Sequence, residues 1–559
     1  MDDARFEAGR SVLAFALAAV VGIVCAKLIW LQVVDAPALR AAAASLSSNE
    51  VAIEARRGTI YDRNGNVLAI SVDCTTVYCN PREIEDVTAA ARVLAADLGG
   101  DASSYVASLS ADASFSYVRR KVDKDKAERL KEDLSAANVR GVYYLPDSKR
   151  QYPHGDVGGQ VLGVVGTDGD GLSGLELYYN DVLAGTDGTM TMEVGQDGTP
   201  VAGGASQVIE AKRGTDIVIS LDIDIQEVSE RVIRSGVSTY KAASGSVVVT
   251  DPATGEILAA CSTPLLAITD TSTIEEGALS LKPVSSSFEP GSIFKLITMA
   301  VGIDDGLITP DTRYSVPART KVGDDYVRDD DGRDYTMDMT VREVLRRSSN
   351  AGTSLIAQGT IGADNFAAGI SKFGIGQPSG VDFPGEAAGI VKARDEYDGA
   401  SVGAMSFGQS LAFPMMQMVK AVGALANDGT LETPHFLVSK GGEKVAWDSP
   451  GTAVSKETAD QVTDMMRTVV QEGTATSAQV KGYDVAGKTG TGEQADESGG
   501  YAAASYVSSL IGFAPAADAK VLVYVGLNGT PYLAQSSAAV LFSSIMGASL
   551  ADLGIPPDA

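Results

Sequence analysis

A serine and a lysine three residues apart, Ser292 and Lys295, are the first candidates for chemistry. Pro290 and Gly291 precede an apolar run that favours a helix, so we expect Ser292 at the first helical turn and Lys295 on the same face one turn later. A serine hydroxyl is a weak nucleophile until a base removes its proton, and a buried lysine with a lowered pKa can be that base. A helix-capping serine followed by a surface lysine has the same spacing, so the pair alone does not establish a site.

A second motif, Ser348-Ser349-Asn350, lies where one helical pattern ends and another begins. An ordinary helix cap has the same composition, because serine and asparagine side chains accept hydrogen bonds from the first N–H groups of a helix. The same three residue types recur at residues 47–49, in a segment where no chemistry is expected. The motif is therefore weak by itself.

A third motif, Lys488-Thr489-Gly490-Thr491, combines an ammonium group and two hydroxyls with a glycine that lets another backbone approach closely. An ammonium and two hydroxyls suit a carboxylate ligand. A polar hairpin turn has a similar composition and stays open as an alternative.

Residues 482–489 also match the phosphate-binding loop, Gly-x-x-x-x-Gly-Lys-Thr. That loop needs an apolar strand before it and a helix that begins at the Lys-Thr pair. The preceding residues, TSAQVK, make a poor strand, and the following residues, GTGEQADESGG, make a poor helix. We therefore favour a carboxylate site over a nucleotide site.

Composition excludes several other classes. The 559 residues include 45 Lys+Arg and 72 Asp+Glu, a net charge of −27, which argues against a nucleic-acid partner. Two histidines and four cysteines without metal-ligand spacing predict no metal site, and no cofactor is expected. Cys74 and Cys79 could form a disulfide, but two ordinary buried cysteines are favoured.

The N-terminal segment predicts a membrane anchor. Residues 11–26 carry no charge, and after Lys27 the apolar run continues to Val34. These residues would form a helix of about 36 Å, enough to cross a hydrocarbon core of about 30 Å. The apolar region of a cleaved signal peptide is shorter, so an uncleaved anchor is favoured. Arg5 and Arg10 favour a cytoplasmic N-terminus, with the rest of the chain outside the membrane.

The pattern divides the chain into a cytoplasmic stub at 1–10, an anchor at 11–34, a stalk at 35–54, a non-catalytic module at 55–205 and a larger domain at 212–555. Within the module, residues 87–138 have a helical pattern. The larger domain has apolar strand patterns near both of its ends and helical patterns between them. This order predicts an α+β domain whose antiparallel sheet combines strands from both ends.

The three motifs become specific in combination, because Ser-x-x-Lys, Ser-x-Asn and Lys-Thr-Gly occur in that order in one domain. The chain resembles the class B penicillin-binding proteins, which are monofunctional peptidoglycan D,D-transpeptidases. RRGTIYDRNGNVLA and GLSGLELYYNDVL resemble motifs of the family's pedestal, or dimerisation, domain. FEPGSIFK, SSNAGTSLIA, FGIGQPSGVDFPGE and AGKTGTGE resemble transpeptidase segments in the expected order. FGIGQPSGVDFPGE and the modest length favour the septal, cell-division branch.

The resemblance implies a transmembrane helix, an elongated pedestal domain at 55–205, and a transpeptidase domain with a central five-stranded antiparallel sheet flanked by helices. It implies that Ser292 attacks D-Ala-D-Ala stem peptides, with Lys295 as the base and Ser348 as the proton relay to the leaving amine. It also implies that five residues bind the substrate: Asn350, Lys488, Thr489, Gly490 and Thr491. The backbone N–H groups of Ser292 and Thr491 would form the oxyanion hole.

The resemblance also implies the partners: peptidoglycan stem peptides, β-lactam antibiotics, the membrane, a membrane glycosyltransferase and other division proteins. Two alternatives stay open. A D,D-carboxypeptidase or serine β-lactamase would use the same residues but let water deacylate the enzyme. A non-catalytic division scaffold would not need Ser292 and Lys295, so their presence argues against it.

Overall fold

The computed structural model describes residues 2–36, 48–193, 206–495 and 501–558. Backbone contacts divide the chain into two compact units, each built from separated segments. The first unit comprises Met1–Arg56, Asp73–Lys149 and Thr186–Lys212. The second comprises Arg57–Val72, Arg150–Gly185 and Arg213–Ala559.

The first unit begins with the apolar helix Asp2–Ile29, which continues as the π-helical turn Trp30–Val34. Among the described residues, Ala8–Val34 is the one helical stretch long and apolar enough to cross a membrane. Its side chains are exposed, as those of a lipid-facing helix would be. The stretch includes the predicted anchor at 11–34.

A three-stranded antiparallel sheet lies in the same unit, with Gly188–Glu193 between Ser48–Ile53 and Ser206–Ile209. The last residues of the predicted stalk are therefore part of a strand. Residues 37–47 of that stalk, and residues 194–205 of the predicted module, lie outside the described residues.

A separate core in the first unit is formed by three helices and two paired strand segments. The helices are Val87–Leu98, Ala102–Leu109 and Lys124–Ala136. Ser116–Asp123 pairs antiparallel with residues 74–79, so a strand interrupts the helical pattern predicted for 87–138. Cys74 and Cys79 are buried free thiols.

The second unit contains the predicted five-stranded antiparallel sheet. Its strands are β1 (Ser244–Thr250), β2 (Ile257–Ser262), β3 (Ala486–Ala495), β4 (Tyr501–Ala514) and β5 (Val521–Thr530), in the spatial order β2-β1-β5-β4-β3. Apolar runs such as VVV in β1 and VLVYV in β5 are buried on both faces, as expected for inner strands. The strands come from both ends of the domain, as the sequence predicted.

Helices cover both faces of this sheet. Ile223–Thr239 and Ala538–Asp552 pack together on one face, where Gly236 meets Leu541 and Gly512 lies against Phe542. The candidate site lies on the other face, where Gly490 of β3 packs against Ile293. The main helices beyond this pair are Lys295–Asp304, Val341–Arg346, Asn350–Ile356, Gly362–Lys372, Met415–Ala426 and Lys456–Glu472.

Two segments of the predicted pedestal module belong to the second compact unit. Glu176 is fully buried and pairs with Arg57 at 2.7 Å and Arg150 at 2.6 Å, which joins the two pedestal motifs. Ile60–Tyr61 also pairs in parallel with Ile217–Ile219. These buried contacts explain why the spatial division does not follow the linear limits at 205 and 212.

Candidate active site

A turn of 3-10 helix, Gly291–Phe294, carries Ser292 and leads directly into the helix Lys295–Asp304. Gly291 has a φ of +57°, a left-handed conformation that favours glycine, and its N–H donates to the Gly408 carbonyl at 3.1 Å. A Cβ on Gly408 would lie 2.1 Å from the Gly291 carbonyl oxygen. This tight glycine contact fixes the turn that holds the half-buried Ser292 at the start of the helix.

Lys295 is fully buried one turn after Ser292. Its Nζ lies 2.6 Å from Asn350 Oδ1, 2.6 Å from the Ser348 carbonyl oxygen and 3.2 Å from Ser348 Oγ. Burial lowers the pKa of Lys295 to about 7, and the carboxylates of Asp329 and Asp330 oppose this effect only in part. A substantial fraction of the amine is therefore neutral near pH 7 and able to accept a proton.

Ser348 sits between two lysines. Its Oγ is 2.9 Å from Lys488 Nζ as well as 3.2 Å from Lys295 Nζ. Ser348 has a φ of +58°, which is rare for a residue with a side chain and costs of order 1–3 kcal/mol. Ser349 is the N-cap of the next helix and accepts a hydrogen bond from Gly352 N–H. The motif is thus both a helix cap and the bridge between the lysines.

Lys488 lies on β3, at the edge of the sheet, and is fully buried. Its Nζ also donates to the Thr489 carbonyl at 2.8 Å. Burial and the neighbouring Lys295 charge hold the pKa of Lys488 well below its usual range. Because Lys488 lies within a strand, the helix start that a phosphate-binding loop requires is not formed there.

Gly490 lets β3 lie against the turn that carries the serine. A Cβ at this position would lie 2.4 Å from Ser509 Oγ and 3.2 Å from a methyl group of Ile293. Thr489 points its Oγ1 toward Thr474 Oγ1 at 2.7 Å. A larger residue at 490 would push the strand away from the Ser292 turn.

A cleft of about 430 Å³ opens over these residues. Ser292, Ser348, Thr489 and Thr491 line it, together with charged side chains that include Arg347. Lys295 and Lys488 both contact the lining residue Ser348, Asn350 contacts Lys295, and Gly490 lies between the lining residues Thr489 and Thr491. The fold therefore brings all eight predicted site residues together from three distant parts of the chain.

Asp329 is an important neighbour that the sequence did not single out. Its carboxylate accepts hydrogen bonds from Ser349 Oγ at 2.8 and 2.9 Å and from Ala351 N–H at 2.9 Å, and it pairs with the buried Arg333 at 3.0 Å. These bonds hold the backbone around the strained Ser348. In sequence Asp329 belongs to an acidic run, DDDGRD, which looks like a solvated loop.

Known proteins resemble this chain along almost its whole length. The family model "Penicillin-binding Protein dimerisation domain" matches residues 52–219, and "Penicillin binding protein transpeptidase domain" matches residues 245–547. The probable peptidoglycan D,D-transpeptidase PbpC of Pseudomonas aeruginosa is 31% identical over 96% of this chain and 93% of its own length.

Two crystal structures extend the comparison. A protein from Atopobium parvulum, provisionally assigned as a peptidoglycan glycosyltransferase, is 41% identical with a TM-score of 0.72, covering 91% of this chain and 100% of its own. Penicillin-binding protein 3 of Mycobacterium tuberculosis, complexed with aztreonam, is 28% identical with a TM-score of 0.71, covering 91% and 98%. The chain therefore belongs to the class B penicillin-binding protein transpeptidases.

Proposed function

We propose that this protein is a peptidoglycan D,D-transpeptidase that works through an acyl-enzyme on Ser292. The observation that carries the proposal is the placement of Ser292 one turn before Lys295, a buried amine with a pKa of about 7. That amine contacts both Ser348 and Asn350. The Pseudomonas relative is itself named a probable peptidoglycan D,D-transpeptidase, which supports the same activity.

In the proposed acylation, neutral Lys295 removes the proton from Ser292 Oγ as the oxygen attacks the carbonyl carbon of the penultimate D-Ala. The amide C–N bond breaks, Ser348 donates its hydroxyl proton to the departing D-Ala amine, and Lys295 Nζ, 3.2 Å away, passes the proton taken from Ser292 on to Ser348 Oγ. The backbone N–H groups of Ser292 and Thr491 stabilise the oxyanion. Close approach of the two segments supports this, since a Cβ on Gly291 would lie 3.6 Å from Gly492 N.

Lys488, Thr489 and Thr491 bind the terminal carboxylate of the donor, and Asn350 holds its peptide. A bound carboxylate favours the protonated form of Lys488, so it offsets the burial that lowers the pKa of this lysine. An amine from a second stem peptide then attacks the acyl carbon. The new C–N bond forms the cross-link, the ester C–O bond to Ser292 breaks, and Lys295 moves a proton from the amine to Ser292 Oγ.

The remaining choice lies between amine transfer and hydrolysis. Full-length protein in detergent would be given a D-Ala-D-Ala stem pentapeptide with and without an amine acceptor, and products would be quantified by mass spectrometry. We expect acyl transfer to the acceptor to exceed hydrolysis. Hydrolysis alone would support a carboxypeptidase or β-lactamase, and no acylation would support a scaffold.

We further propose that residues 1–10 are cytoplasmic, that residues 212–555 form the extracytoplasmic catalytic domain, and that the protein acts in septal wall synthesis. The septal assignment is supported by the FGIGQPSGVDFPGE segment. β-Lactams are expected to bind, as aztreonam does to the Mycobacterium relative. A membrane glycosyltransferase and other division proteins are the proposed partners.

A further inference from the structure

A second cavity, of about 250 Å³, lies on the same face of the sheet as Gly490, the face against which Ile293 packs. Strands β1 and β5 form its floor, and the segment 282–288 forms a wall. None of the eight proposed site residues lines it. Its polar and aromatic lining includes Ser244, Ser246, Lys282, Phe288, Tyr524 and Asn528.

Tyr524 lines this cavity with an unpaired hydroxyl. Only 3% of the residue is exposed, and its phenolic oxygen has no hydrogen-bond partner among the described residues. Burial raises the pKa of this phenol, so the O–H group is retained as a donor. A Cβ on Gly526 would lie 2.2 Å from that oxygen, so the glycine makes room for the phenol to lie along β5. The oxygen itself is accessible from the cavity, so its O–H group can donate a hydrogen bond to a ligand there.

The charge of the cavity is unusual for a chain with a net charge of −27. Lys282 contributes an ammonium group, and none of the described residues that line the cavity carries a carboxylate. Lys282 Nζ donates to the Thr263 carbonyl at 2.6 Å, which uses one of its three N–H groups. The other two can serve an anionic oxygen.

Hydroxyls and one aromatic face complete the lining. Ser244 and Ser246 present hydroxyls from β1, and Asn528 lies beside Ser244, with 3.4 Å between Nδ2 and Oγ. The Phe288 ring lies 6.4 Å from the Tyr524 ring and offers an apolar surface. The volume is smaller than the roughly 300–1,000 Å³ of pockets for drug-sized ligands, so it suits about one sugar ring.

We propose that this cavity binds a small, hydroxyl-rich ligand that carries a carboxylate, of the sugar-acid class. Lys282 pairs with the carboxylate, while Tyr524, Ser246 and Asn528 bind the hydroxyls. The site is separate from the catalytic cleft, so ligand binding and acylation of Ser292 can occur together.

The test uses full-length protein in detergent and titrates D-glucuronate by saturation-transfer NMR, with glucose and inorganic phosphate as comparison probes. We expect saturable binding of D-glucuronate, and binding of glucose and phosphate at least about tenfold weaker, because each lacks one half of the recognised chemistry. Prior acylation with penicillin should leave D-glucuronate binding unchanged. No saturable binding, or binding lost on acylation, would overturn the proposal.

Two variants locate the site. Tyr524→Phe removes one neutral hydrogen bond and should weaken D-glucuronate binding about 2- to 13-fold, and Lys282→Met should weaken it about 10- to 150-fold. Lys481→Met, an exposed lysine outside the cavity, is the charge-matched control and should change nothing. Penicillin acylation of each variant verifies folding. Unchanged D-glucuronate binding in both cavity variants, or equal binding of phosphate, would contradict the assigned ligand class.

Discussion

The buried amine of Lys295 predicts how acylation depends on pH. Burial disfavours the ammonium form, so the pKa falls from its ordinary value of 10.5 to about 7. At pH 7 about half of the amine is then neutral, against about 0.03% at the ordinary value, a gain of about 1,500-fold in available base. The neutral form is present above pH 7 and is lost as the pH falls through the pKa.

Acylation of full-length protein by fluorescent penicillin, measured by stopped-flow between pH 5 and 9, tests this prediction. The neutral fraction falls to about 1% at pH 5, so the rate constant should drop about 50-fold from pH 7 and rise only about twofold from pH 7 to 9. A rate constant that stays flat between pH 5 and 7 would contradict a base with this pKa.

The variant Lys295→Arg separates the base from the positive charge. A guanidinium is not deprotonated in proteins, so we expect acylation to fall by about 100-fold or more at every pH. Lys481→Arg, an exposed lysine away from the cleft, is the matched control and should acylate normally. Near-normal acylation by Lys295→Arg, with an unchanged melting temperature, would refute the role given to Lys295.

Three further predictions address the rest of the site and the topology. Lys488→Ala should slow penicillin acylation about 10- to 150-fold but slow it less for a substrate with an amidated carboxylate, and equal losses would argue against carboxylate binding. Asp329→Asn leaves the buried Arg333 without its charge partner, so it should lower the free energy of unfolding in urea by about 3–5 kcal/mol and slow acylation. The control Asp331→Asn removes a more exposed charge and should lower the free energy of unfolding by under about 1 kcal/mol. Similar unfolding for the two variants would remove the special role of Asp329. Protease added to spheroplasts should digest the chain after about residue 35, and full protection would reverse the proposed orientation.

The inner strands of the catalytic unit could be predicted from the sequence because each is a short uninterrupted apolar run. Such a run is typical of a strand buried on both faces, as these strands are. Strand β3 could not, since AGKTGTGE is rich in glycine and polar residues. It is a strand because β4 pairs with it, and because Gly490 fits against Ser509 and Ile293. Here tertiary context overrides local propensity.

Other features were missed for the same physical reason. Ser116–Asp123 carries four charged residues among its eight, so it reads like the helices on either side until its pairing with residues 74–79 is known. Arg57 and Glu176 look like ordinary surface charges in sequence, yet they form a buried pair across 119 positions. The motif residues of the site were predictable from their order, but Asp329 depends on contacts that only the fold creates.

The proposed mechanism depends on an acyl-enzyme formed at Ser292. Full-length protein treated with penicillin would be digested and analysed by tandem mass spectrometry, alongside Ser292→Ala and the control Ser285→Ala. The Ser285 hydroxyl donates to the Leu281 carbonyl of its own helical turn. We predict one covalent adduct, on Ser292, that persists in Ser285→Ala and is absent from Ser292→Ala. An adduct on any other residue, or labelling that survives in Ser292→Ala, would contradict the proposed mechanism.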